Sequence, residues 1–444
     1  MRIAVVGGGP AGLYFSYLWK RRHPDSSVTL FEQNPAHATF GFGVVFSDRA
    51  MDFIRDDDPE TAAAITAPME TWSDMTLVHR GEATAIDGVG FSAIGRLELL
   101  LILQRRARSV GAILQFDTRI TSIRDLAEYD LIVGADGVNS LVRRSFEGDF
   151  GTSLSYLDSK FAWFGTTKRF ETLSQTFVES KHGAFNAHHY RYSPTMSTFI
   201  VECDRSTWEA ARLDRLPADE GKALCEEIFH ETLDGHTLVT NKSSWRNFPW
   251  LWNERWSVRN MVLVGDALHT AHYSIGSGTR LAIEDVIALV KALEEGGPLE
   301  HSLSKYESER RPVVEKLSIA SKTSAAWYQD FANHMRLSPL ELAYSYITRS
   351  GRVDETRLRQ MAPRFMSRYA DSRAPSEAPN FPPSAKVSVS DRRSRAQSSK
   401  GPSLTGKGLE ETLARASCCY RGSPQKIESD QCRIRQAPVR TAAL

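Results

Sequence analysis

Gly7, Gly9 and Gly12 stand at the spacing G-x-G-x-x-G, directly after the β-branched run Arg2 to Val6. In such a pattern the first glycine makes a tight turn, the second lets backbone approach a pyrophosphate, and the third lets a helix pack closely on the strand. After Pro10 a helix should run from about Ala11 to Arg22, with its N–H groups and positive dipole end toward the phosphate. The next strand, Val28 to Phe31, delivers Glu32 about twenty residues beyond Gly12, where a carboxylate can accept hydrogen bonds from a ribose. The chemistry is that of holding a dinucleotide. This stretch alone does not separate NAD from FAD.

Two further strand-to-turn transitions carry glycine beside aspartate. In DLIVGADGVNSLVRR an apolar strand, Leu131 to Val133, leads to Asp136 and Gly137, with a helix beginning near Ser140. Asp136 can bind a polar cofactor group or cap the turn, while Gly137 permits close backbone approach. In MVLVGDALHTAHYSIGSGTRLAIEDVIAL a strand ends at Gly265 and Asp266. A small-residue loop with Gly276 and Gly278 follows, and an amphipathic helix starts near Thr279. Asp266 is placed for a second ribose-type hydroxyl, and the helix start for an anionic or polarised ring edge.

The elements that must position these residues belong to a large chain of ordinary composition, 444 residues with 41% hydrophobic and 25% charged residues. A formal net charge of +1 implies no nucleic-acid or membrane partner. With no apolar run of about 18 residues, no membrane span is expected and a cytoplasmic protein is the default. The five cysteines show neither metal-ligand spacing nor CxxC. His188, His189, His269 and His272 lack an acid or cysteine at ligand spacing, so no metal is expected. From Asp74 to Ile94 and Phe161 to Asp204 apolar and polar residues alternate, the pattern of a mostly antiparallel sheet. From Asp371 onward the chain is rich in Ser, Pro, Arg and Ala and reads as a disordered tail.

Taken together in this order, the three motifs resemble the single-component, FAD-dependent aromatic hydroxylases of the para-hydroxybenzoate hydroxylase type, over residues 1–330. The resemblance implies that Glu32 binds the adenosine ribose and Asp266 the ribityl chain. It places Arg96, which opens RLELLLILQRRA, at the phosphate side, and Asp136 and Gly137 near both FAD and the nicotinamide cofactor. Within that family HHYRYSPTMSTFIVECD, GFGVVFSD and HTAHYSIGSGT resemble salicylyl-CoA 5-hydroxylase, the monooxygenase half of 2-aminobenzoyl-CoA monooxygenase/reductase, and the tryptophan hydroxylase of violacein synthesis. Many members have a Pro-Pro pair where this chain has His272-Tyr273, which removes the basis for carrying over substrate contacts from phenol hydroxylases.

The fold class implied is α/β: a Rossmann-like FAD-binding domain with an inserted, mostly antiparallel β-sheet substrate domain and C-terminal helices. The expected layout is FAD-binding parts at 1–75, 96–150 and 255–330, substrate-domain strands at 76–95, a substrate sheet at 151–254, C-terminal helices at 331–370 and the tail at 371–444. The implied activity uses NADH or NADPH and O2 to hydroxylate an electron-rich arene through a flavin hydroperoxide, the arene being a CoA thioester such as salicylyl-CoA or 2-aminobenzoyl-CoA. A free indole or tryptophan-type substrate, or a non-hydroxylating reductase of the same fold, are the alternatives, and a homodimer is allowed for. His188, Tyr190 and Tyr192 share one strand face by their period of two. His188 and Tyr190, with His269 and His272 after Asp266, are the candidate catalytic residues. Tyr192 and Arg280 are candidate substrate contacts, with Arg246, Lys168 and Arg169 as further cations for CoA phosphates.

Overall fold

The computed structural model describes residues 1–47 and 51–373, all within the unit Met1–Ser376. The expected tail lies outside the described residues except for Asp371 to Arg373, which close the helix Pro363–Arg373. The structure is α/β. Its first sheet has six strands in the order Ser257–Val258, Met261–Leu263, Leu131–Gly134, Arg2–Val6, Ser27–Phe31, Ile113–Gln115, parallel but for the short first pair. Its central strands are continuous apolar runs because both faces are covered: Ile3, Ala4, Val5, Leu131, Val133, Val262 and Leu263 have no exposed surface. The helix Pro10–Arg22 packs between the helices Arg96–Ser109 and Gly278–Glu294.

The second sheet has eight strands. Leu238–Val239, Thr152–Thr166, Ser197–Cys203, Gly183–Arg191, Leu173–Ser180, Met75–His79 and Glu82–Ile86 follow in order, and Arg246–Asn253 pairs with the long Thr152–Thr166 strand. All pairs are antiparallel except that of Leu173–Ser180 with Met75–His79. Alternation divides its residues between two faces. Phe185, Ala187, Phe199, Val201 and Cys203 pack with Leu213, Cys225 and Phe229 from the segment that follows. The opposite face carries Asn186, His188, Tyr190, Ile200 and Glu202. At one end of that face Leu173, Phe177 and Tyr190 meet Trp327, Tyr328 and Phe331 and the C-terminal helices. Burial of each such aromatic is worth roughly 1.5–3 kcal/mol, so this contact fixes where the helices sit.

The expected division of the N-terminal half is incomplete in one respect. Gly43–Ser47, Phe91–Gly95 and Glu70–Trp72 form a separate three-stranded antiparallel sheet. Its Gly43–Val45 edge and the following Arg96 reach the same cavity as the dinucleotide motif.

Candidate active site

The glycine motif does three different jobs. A Cβ on Gly7, which has φ +106°, would collide with the backbone of Ala135, and one on Gly12 would overlap the carbonyl oxygen of Gly7. Gly9 has nothing within 4 Å of an added Cβ, so its free space faces outward. It opens the helix Pro10–Arg22, which has no side-chain cap. The helix Gly278–Glu294 likewise starts without a side-chain cap. Both starts face one cavity of about 720 Å3, in the size range of small-molecule sites. Their N–H groups and dipole ends offer two anion-favouring poles. Gly137 and Gly278 also leave open space beside their backbone. The cavity wall runs from Gly9, Pro10 and Ala11 past Arg96 and Gly137 to Gly265, Asp266, Gly276, Gly278 and Thr279. An extended dinucleotide with phosphates at one helix start and a polar ring edge at the other fits this cradle.

Arg96 and Asp266 are the opposed charges of the wall. Burial pulls the Arg96 guanidinium down, against the attraction of Asp266. Burial pushes the Asp266 carboxyl up, against Arg96 and His269. Glu32 stands outside the wall: its Oε2 accepts from the Gly8 amide at 2.7 Å and its Oε1 from the Asn34 amide and side chain at 2.8 and 2.7 Å. It thus braces the glycine loop, with lone pairs left for a ribose. Asp136 does not line the cavity. Its Oδ2 accepts from the amides of Leu141 (2.6 Å) and Val142 (3.4 Å), which is the capping alternative, and its neighbours Ala135 and Gly137 form the wall.

Of the four candidate catalytic residues two reach the cavity. His188 and Tyr190 lie on one strand face with ring centroids 5.3 Å apart, and both line the wall. The Tyr190 hydroxyl donates to the Gly43 carbonyl at 3.0 Å, whereas neither ring nitrogen of His188 has a protein partner. Burial, with Arg349 adding to it, pushes His188 down to about 3, so its imidazole is neutral and offers one donor and one acceptor.

The other two, His269 and His272, do not line the cavity. His269 is turned inward, its Nε2 3.0 Å from Asp285 Oδ2, close enough for an ion pair though outside hydrogen-bond alignment. Asp285 also meets Arg310 at 3.0 Å and accepts from the Gly265 amide, so this triad holds the Gly265 turn from behind. Burial pushes the Asp285 carboxyl up, but His269 and Arg310 outweigh it and hold it below the usual range. His272 has no exposed surface, meets Ser274 Oγ through Nδ1 at 2.8 Å, and packs on Tyr273 and Phe248. It braces the loop that presents Tyr273 to the cavity.

Both candidate substrate contacts are also displaced. The strand ends at Arg191, and the Tyr192 amide closes a turn onto the Met196 carbonyl. The period of two therefore stops one residue early, and Tyr192 lies against Gly43 outside the lining. Arg280 is held by Glu284 at 2.7 Å, one helical turn away, and Lys168 by Asp234 at 2.6 Å; neither these nor Arg169 lines the cavity. Arg246 does, at the rim, together with Lys242; both are exposed and make no carboxylate contact among the described residues.

Several wall residues escaped the sequence reading: Phe161, Trp163, Ile200, Phe248 and Tyr273, with Phe40 and Tyr156 toward the rim. The aromatic alternation in WRNFPWLWN and the tyrosine beside His272 were the available signals. No group of three or more metal-ligating side chains occurs among the described residues, and no described helix is long and apolar enough to cross a membrane.

Comparison with known proteins bears on this geometry. The family described as FAD binding domain matches residues 124–321. The chain is 40% identical over 361 residues to a salicyloyl-CoA 5-hydroxylase of a Streptomyces species, covering 79% of this chain and 70% of the relative. It is 35% identical to the 3-hydroxy-4-methyl-anthranilyl-[aryl-carrier protein] 5-monooxygenase of Streptosporangium sibiricum, covering 74% and 89%. It is 33% identical to the protodeoxyviolaceinate monooxygenase of Chromobacterium violaceum, covering 79% and 94%. Among solved structures, 2-methyl-3-hydroxypyridine-5-carboxylic acid oxygenase superposes with a TM-score of 0.62 at 18% identity, covering 80% and 97%, a likeness of fold.

Proposed function

We propose, for a chain that belongs to the FAD-dependent aromatic monooxygenases, that the substrate is an electron-rich arene carried as a CoA thioester, with NADH or NADPH as reductant. Salicylyl-CoA, hydroxylated at C5, and 2-aminobenzoyl-CoA are the first candidates. The observation that carries this reading is the contrast between the two ends of the cavity. Its inner part is walled by Phe161, Trp163, Tyr190, Phe248 and Tyr273, while its rim carries the exposed Lys242 and Arg246 beside Phe40 and Tyr156, which are 43% and 59% exposed. A bare arene needs only the first. A thioester tail with phosphates also needs apolar surface and cations at the exit. The similarity to the salicyloyl-CoA and aryl-carrier-protein enzymes supports the same choice.

When bound, FAD supplies the acceptance of hydride from the nicotinamide and the delivery of one oxygen atom of O2 to the ring. The protein's part is placement. The two uncapped helix starts, Arg96 and Asp266 hold the cofactor; the aromatic wall keeps water from the reacting carbon. Neutral His188 is the polar group offered to a ring hydroxyl or amino substituent.

The test is anaerobic stopped-flow reduction of the FAD-loaded protein by NADH or NADPH, with salicylyl-CoA, 2-aminobenzoyl-CoA, the free acids or tryptophan present in turn. The expected result is acceleration by a thioester but not its free acid, and a hydroxylated thioester on admission of O2. Acceleration by tryptophan or a free acid alone would replace the thioester by a free arene.

A further inference from the structure

Behind the aromatic wall the eight-stranded sheet carries a polar patch with incomplete hydrogen bonding. Gln175 stands opposite His188, His188 opposite Ile200, Asn186 opposite Glu202, and Glu202 opposite Phe161. Directly opposed residues point to one side, so all of these share the face on which His188, Ile200 and Phe161 line the cavity. Gln175, Asn186, His188 and Glu202 are 0%, 1%, 6% and 2% exposed. Without a protein partner are Glu202 Oε1, Asn186 Oδ1, both side-chain polar atoms of Gln175 and both ring nitrogens of His188. Native proteins leave few such groups unpaired, and here they adjoin one another beside a site for a small molecule. Tyr273, a wall residue, packs on Phe161 with ring centroids 5.1 Å apart, directly beside Glu202, and its hydroxyl and that of Ser159 act on the Glu202 carboxyl without an aligned hydrogen bond to it.

We propose that Glu202 is the proton acceptor of the active site, acting through the Tyr273 hydroxyl on the ring hydroxyl of the bound arene. The inference rests on the reading of this cavity as an arene site. In the step, the substrate O–H bond breaks and its proton passes to the Tyr273 oxygen, while the proton of Tyr273 passes to a Glu202 carboxylate oxygen. No electrons are exchanged with another reactant. The pair left on the ring oxygen raises electron density at the carbons ortho and para to it, where an electrophilic oxygen is accepted.

The surroundings suit the task. Glu202 forms no ion pair among the described residues. Lys160, on the neighbouring strand, donates to Asn247 at 2.6 Å. The groups in electrostatic contact with Glu202 are the hydroxyls of Tyr273, Tyr328 and Ser159, while the thiol of the adjacent Cys203 points to the opposite face of the sheet. Arg349 lies above the Tyr328 ring, held by Ser274 and Tyr346 carbonyls. Burial pushes the Glu202 carboxyl up to about 8, against the pull of Tyr273 and Ser159, so it changes charge within the range of ordinary assays. Asn186 and Gln175 offer buried polar atoms on which water can carry the proton onward.

The experiment is turnover at saturating substrate against pH for the FAD-loaded wild type, E202Q, E202D and Y273F, with flavin content and circular dichroism as controls. The expected wild-type rate rises about tenfold per pH unit and levels off above about 8. E202Q and Y273F should be roughly 100-fold slower and flat with pH, while E202D recovers a rising limb. Infrared titration of the substrate-free protein supplies a readout apart from turnover: a buried carboxyl band should disappear with the same midpoint and be absent from E202Q. A limb that survives in E202Q, or a band that does not titrate with it, would overturn the proposal and leave the substrate reading standing. Wild type that turns over no arene at all would overturn that reading, and this proposal with it.

Discussion

Arg96 and Asp266 stand in one cavity wall as opposite charges that act on each other outside ion-pair contact. Arg96 opens the helix Arg96–Ser109 and Asp266 follows the strand Met261–Leu263, so the pair joins two separate parts of the chain at the cofactor cradle. Asp266→Ala removes an acceptor for a cofactor hydroxyl and leaves Arg96 without its counter-charge. The variant is expected to fold with an unchanged circular dichroism spectrum but to bind FAD about 10- to 100-fold more weakly, the loss of roughly 1.5–3 kcal/mol that a charged hydrogen bond carries. The flavin-to-protein absorbance ratio after dialysis checks it; full flavin retention would remove Asp266 from the cofactor site.

Two glycines of one motif should fail in different ways. At Gly12 an added methyl meets the Gly7 carbonyl, which cannot move without shifting the strand Arg2–Val6, whereas at Gly9 it meets open space. Gly12→Ala should therefore lower the stability of the FAD-free protein by about 3 kcal/mol. Gly9→Ala should leave that stability within about 0.5 kcal/mol of wild type and weaken FAD binding instead. Thermal unfolding without FAD, followed by FAD titration, separates the two.

What the sequence made legible was whatever is local. The three glycine-bearing turns, the uncapped helix starts and the strand bearing His188 and Tyr190 all follow from spacing within a few residues. Placement departs from the local pattern where it depends on partners distant in sequence. His269 sits beside Asp266 in the chain, but Asp285 and Arg310 claim it from behind. Tyr192 continues the period of His188 and Tyr190 until the turn onto Met196 breaks it. Glu202 reads as one polar residue in an apolar strand, and only the register with Asn186 and Phe161 places it behind the cavity.

The rim cations make a prediction about the thioester tail. Lys242 and Arg246 line the cavity, are exposed and make no carboxylate contact among the described residues. A Lys242→Glu/Arg246→Glu double variant should raise KM for a CoA thioester at least about tenfold at low salt and leave flavin content unchanged. Added salt should narrow the difference, because exposed charges are screened. Steady-state kinetics at two ionic strengths decide it; an unchanged KM would move the phosphates to another part of the surface.

Acid should find a weakness in the two buried neutral histidines. Burial pushes His188 and His272 each to about 3, from the ordinary 6.5. Between those values the unfolded chain binds protons that the folded chain refuses, so stability is complete above 6.5 and falls as the pH drops toward 3. At pH 5 the loss is about 2 kcal/mol per histidine. Glu202 acts with the opposite sign: its raised pKa stabilises the fold below the ordinary 4.5, and that stability is lost as the pH rises through about 8. A His188→Gln/His272→Gln variant should then show a thermal midpoint that falls less than wild type on acidification. Glu202→Gln should show one that falls less on going alkaline. The wild-type curve should therefore decline on both sides of neutrality for two identifiable reasons. Parallel curves for wild type and variants would show that these groups titrate alike in the folded and unfolded chain, and that the back of the cavity is open to water.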